Sequence, residues 1–133
     1  MTEINRIIIA EDKVTANLKK LVSEGIHFGI NQVVTPLNYQ DVKGTVDFLR
    51  KEVGLKEFSA SPVIPTCPGR LEKYAIENYQ VLELATQLIE IERTTGVRTD
   101  MLTFVPPCFF PESMMQHRIS AHGCSAGRDS VII

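Results

Sequence analysis

Residues 12–64, "DKVTANLKKLVSEGIHFGINQVVTPLNYQDVKGTVDFLRKEVGLKEFSASPVI", decide the fold. Over 12–24, Val14, Leu18, Leu21 and Val22 recur at helical spacing, and Gly25 follows where a helix commonly takes a left-handed last residue. "IHFGINQVV" (26–34) then alternates Ile26, Phe28 and Ile30 with His27, Gly29 and Asn31, the pattern of a strand buried largely on one side. Pro36 turns the chain, and Asn38 is suited to cap a second helix over 39–53 that buries Val42, Val46, Leu49 and Val53 before Gly54. "LKEFSASPVI" (55–64) is a second strand candidate. Helix, glycine, strand, loop, helix, glycine, strand is the order of αβ units whose strands run parallel and whose crossovers are right-handed. An open parallel sheet or part of a (β/α) barrel is expected.

Working outward, the Pro-rich loop "PTCPGR" (65–70) leads to a predicted long helix over 71–95, with Ile76, Tyr79, Leu82, Leu88 and Ile91 on or near one face. Gly96 stops it, and "VRTDMLTFV" (97–105) reads as a third strand. "PPCFFP" (106–111) breaks regular structure, and residues 106–127 read mostly as loop, with "ESMMQ" (112–116) as one helical turn. The last residues, Val131, Ile132 and Ile133, read as the start of a fourth strand.

The chain has 133 residues, room for one domain with a real core. Its 14 Lys and Arg against 16 Asp and Glu form no like-charge block, so nucleic acid is not a favoured partner. The apolar run "IIIA" is far short of a membrane span, and "MTEINR" lacks the order of a signal peptide, which predicts a cytoplasmic protein with no membrane partner. Three cysteines, Cys67, Cys108 and Cys124, are an odd number with no CxxC spacing.

Ligands of αβ folds sit at the carboxyl ends of the strands, which points to Asn31 and Gln32 late in the first strand and to "PVIPTCPGR" after the second. The amides can hold a polar ligand, and they also fit a sheet edge or a cap. Thr66, Gly69 and Arg70 have the types of an anion cradle, but the run lacks a P-loop lysine and also suits a plain turn before a helix. "HGC" places His122 near Cys124, but adjacent residues supply no further zinc ligands. A nucleophile made of Cys124 and a histidine is a third possibility, without an orienting residue in view. Glu83, Glu90 and Glu92 read as a solvated helix face.

Four segments together resemble one family, the radical S-adenosylmethionine enzymes with a C-terminal SPASM-type extension that mature peptides and proteins. "LVSEGIHFGINQVVTPLNYQDVKGTVDFLRKEVGLKEF" resembles its mid-barrel pattern, "SPVIPTCPGR" its proline-and-glycine loop with Cys67 and Pro68 inserted, and "GCSAGRDSVII" the opening of the SPASM region. The resemblance implies an α/β fold, a partial (half) parallel (β/α) barrel over 1–105, followed over 106–133 by a loop and a truncated extension. It implies S-adenosylmethionine and [4Fe-4S] clusters as cofactors of the parent enzymes. Asn31, Gln32, Ile64 and Pro65 would line the S-adenosylmethionine pocket, and Cys124 would be the first ligand of an auxiliary cluster. The CxxxCxxC motif that binds the cluster reducing S-adenosylmethionine is absent from this sequence, so no catalytic residue is assigned and this chain alone is expected to be inactive. The expected partners are a missing half-barrel chain or a second copy, with a peptide or protein substrate in the parent family. A rival reading is a small dimeric α/β protein that binds a nucleotide-like molecule at the same strand ends.

Overall fold

The computed structural model describes residues 3–63, 69, 71–103 and 105–121. Helix α1 (Glu3–Ser23) leads to strand β1 (Ile30–Val34), α2 (Val42–Val53), β2 (Glu57–Pro62), α3 (Asn78–Thr95), β3 (Arg98–Met101) and a short α4 (Arg118–Ala121). The three strands form one parallel sheet in the order β1-β2-β3, with Ile30 opposite Phe58 and Phe58 opposite Thr99. The fold is therefore α/β, and among the described residues the sheet does not close on itself.

Period-2 alternation sorts the sheet into two faces. Val34, Phe58, Ala60, Thr99 and Met101 are buried under α2 and α3, where Val42, Val46, Leu49, Leu84, Leu88 and Ile91 complete the core. Asn31, Val33, Ser59 and Ser61 occupy the opposite face. Consecutive strands are neighbours and α2 packs on both α1 and α3, so the helices form one layer on one side of the sheet. Residues 106–121 join the same core through Phe110 and Ile119.

The expected elements are present with shorter bounds, for local reasons. β1 starts at Ile30 rather than Ile26, because β2 begins only at Glu57 and offers no partner to the earlier residues. β3 ends at Met101 rather than 105. The β2 residues that face β3 alternate with those that face β1, and Pro62, next after Ala60 on that side, has no N–H to continue the ladder. The long helix starts at Asn78 instead of 71, where Glu77 and Gln80 form a reciprocal capping box and the Glu77 N–H donates to Gln80 Oε1 at 2.7 Å. Its buried face is carried by Val81, Leu84, Ala85, Leu88 and Ile91, whereas Tyr79 is exposed. Asn38 does not cap α2. Its Oδ1 accepts the Thr35 N–H and its Nδ2 donates to the Val33 carbonyl, which finishes β1. The single helical turn near 112–116 is a 3-10 turn, Glu112–Met114. The fourth strand expected at Val131–Ile133 lies outside the described residues.

Candidate functional site at the carboxyl ends of the strands

β1 and β2 hold their open-face polar residues in a short ladder. Asn31 Oδ1 accepts the hydroxyls of Ser59 at 3.1 Å and Ser61 at 2.9 Å, both from the neighbouring strand. Saturating that oxygen fixes the amide plane and leaves its N–H2 as a donor on the open face. Asp100 of β3 stands on the same face by strand alternation, with its Oδ1 accepting the Met101 N–H at 2.7 Å. The array is a set of amide, hydroxyl and carboxylate groups suited to a hydroxyl- or amine-bearing ligand.

Gln32 does not join it. A one-residue step along a strand reverses the face, and Gln32 turns toward the helix layer, where its Oε1 is buried without a partner among the described residues. Asn31 and Gln32 were expected to line one pocket, and the pleat separates them. Ile64 and Pro65 lie outside the described residues, as do Cys67, Thr66, Arg70, His122 and Cys124.

Immediately before Ile64, Pro62 and Val63 form one wall of a cleft at the carboxyl ends of β2 and β3. Ile76 and Val81 supply the α3 side, and Val105 and Phe109 the outer side, around a volume of about 220 Å³. That is below the roughly 300–1,000 Å³ of a pocket for a drug-sized ligand. The cleft admits a ring-sized apolar group, with any remaining polar part of the ligand outside it. It lies on the helix side of the strand ends and the Asn31 ladder on the open side, with Ser61 and Pro62 adjacent between them.

The Gly69 N–H, one donor of the expected anion cradle, donates to Glu72 Oε1 at 3.1 Å. His27 is exposed, 3.5 Å from Glu57 at the amino ends of the strands. Cys108 is exposed, and among the described residues no three His, Cys, Asp or Glu side chains converge as a metal site.

Glu92 is not a solvated-face residue as expected. Its Oε2 accepts the Thr99 N–H at 2.9 Å and the Thr99 hydroxyl at 3.2 Å, and it pairs with Arg118. Burial pushes this carboxyl up, but Arg118, the Thr99 N–H and the Thr99 hydroxyl together outweigh it and hold the carboxyl down at about 2. His117 adds to the cluster: its Nδ1 accepts the Ile119 N–H, and its Nε2 lies 3.3 Å from Glu92 without hydrogen-bond alignment. The cluster joins α3, β3 and α4 at the end of the sheet remote from the cleft.

Ser59, Ser61 and Asp100 were not singled out from the sequence. Their signal was there, because "FSASP" alternates serine with buried residues and so puts both hydroxyls on one face. No helix among the described residues is long and apolar enough to cross a membrane. No family model, curated protein or solved structure matches this chain.

Proposed function

We propose that this chain is a half (β/α) barrel, a fragment or subunit of a radical S-adenosylmethionine, SPASM-type enzyme that modifies peptides or proteins. One observation carries the reading: the sheet face opposite the helices is lined by Asn31, Ser59 and Ser61. A doubly wound sheet covers both faces with helices and makes both apolar, whereas a barrel carries its helices on the outer face only, as the described sheet does.

In that reading Asn31, held by the two serines, donates to the polar part of S-adenosylmethionine, and the cleft beside Pro62 and Val63 takes its ring. Ile64 and Pro65 continue the chain directly from that wall. Bound S-adenosylmethionine supplies the parent enzymes with a 5′-deoxyadenosyl group for hydrogen abstraction. Reductive cleavage needs a cluster held by three thiolates. The residues here do not fit one, because the sequence has no CxxxCxxC motif, and Cys108 is the one thiol among the described residues. No chemical step is assigned to this chain.

The test is calorimetric titration with S-adenosylmethionine against wild type and Asn31→Ala. Saturable binding, weakened about tenfold in the variant, supports the reading. Absence of heat at millimolar ligand overturns it. Equal affinity for adenosine and S-adenosylmethionine favours the rival, a binding protein for a nucleotide-like molecule.

A further inference from the structure

The two edges of the sheet are built differently. Arg98 and Leu102 donate their N–H groups to β2, so the intervening Thr99 and Met101 turn their backbone groups outward. Side chains occupy that edge: Glu92 takes the Thr99 N–H, Arg118 donates to the Thr99 carbonyl at 3.1 Å, and Asp100 takes the Met101 N–H. Among the described residues β3 is thus a closed edge.

On β1, Val34 accepts from Val63 of β2, so Asn31 and Val33 point their backbone groups outward. Asn38 takes the Val33 carbonyl, but the Val33 N–H and both backbone groups of Asn31 have no partner among the described residues. The strand, "INQVV", has no charge, proline or bulge, the usual protections of an exposed edge. Val33, on the open face beside this edge, is 57% exposed.

We propose that this edge pairs with β1 of a second copy, antiparallel about a two-fold axis at Gln32. Asn31 of one copy then faces Val33 of the other in a continuous six-stranded sheet: each Val33 N–H donates to the facing Asn31 carbonyl, and each Asn31 N–H shares the facing Val33 carbonyl with Asn38 Nδ2, one donor to each lone pair. The uncharged strand is self-complementary, so no like charges meet, and an isologous contact suits this geometry. Because β3 is capped, association stops at two. The inference rests on the strand edges and not on the ligand at the strand ends. A β1 edge paired with a second copy takes no further parallel strand, so it goes with the half barrel as a dimer and not with a barrel closed by added strands.

Light scattering coupled to size exclusion tests it on the full chain at micromolar concentration. The expected result is a dimer that Val33→Pro, which removes an outward N–H, and Val33→Lys, which charges the edge, each convert to monomer. Leu102→Lys, on the capped side, leaves it dimeric. Circular dichroism identifies any variant that fails to fold, and the other Val33 variant then decides. A wild-type monomer, a dimer indifferent to both Val33 changes, or growth beyond two copies would overturn the proposal. S-adenosylmethionine binding is read separately and fails separately.

Discussion

The backbone N–H of Thr99 ends on the Glu92 carboxylate, 2.9 Å away, and not on another strand. A helix side chain thereby terminates the sheet, and Arg118 from the following segment completes the termination by pairing with the same oxygen.

This carboxylate makes stability depend on acid. Its folded value of about 2 lies below the ordinary 4.5, so the unfolded chain binds more protons between those limits and stability rises with pH there. The contribution is complete above pH 4.5 and disappears as pH falls toward 2. With the side chain about a quarter exposed, roughly 1–2 kcal/mol is expected after allowing for solvent screening. Urea unfolding at pH 3 and pH 7 should show the drop in wild type and a shallower one in Glu92→Gln; equal pH slopes would refute it.

Thr99 is fully buried, and its one hydroxyl proton is shared between the Leu88 carbonyl at 2.8 Å and Glu92 Oε2 at 3.2 Å. Thr99→Val keeps the shape and removes this donor, so a loss of about 1–2 kcal/mol in chemical denaturation is expected. A variant as stable as wild type would show that the hydroxyl contributes nothing net.

Gly54 ends α2 at φ 66°, with its N–H donating to the Arg50 carbonyl. An added Cβ meets no neighbouring atom, so Gly54→Ala isolates the cost of the left-handed backbone. A fall of about 1 kcal/mol is expected in thermal or urea unfolding. No change would mean the helix end relaxes to another conformation.

Iron and acid-labile sulfide measured per chain after anaerobic reconstitution examine the cofactor side of the proposal. Neither wild type nor Cys124→Ser should hold a stoichiometric cluster, since one thiolate cannot retain it. A full cluster that disappears with Cys124 would show that other thiols complete a site within this protein.

Periodicity in the sequence determined the αβ order, the parallel sheet and the core face of α2, because Val42, Val46, Leu49 and Val53 repeat on one side whatever surrounds them. The glycine stops at 25, 54 and 96 were equally legible, since each adopts the left-handed backbone that favours glycine. Only the tertiary structure decided the rest. Asn31 and Gln32 are neighbours in sequence and opposite in space, and the partners of Asn31 come from another strand. Glu92 has the composition of a surface residue, yet Thr99 and Arg118 make it a strand cap. Such roles depend on which chain segments meet across the sheet. Packing of the whole core sets those meetings, and no local pattern encodes them.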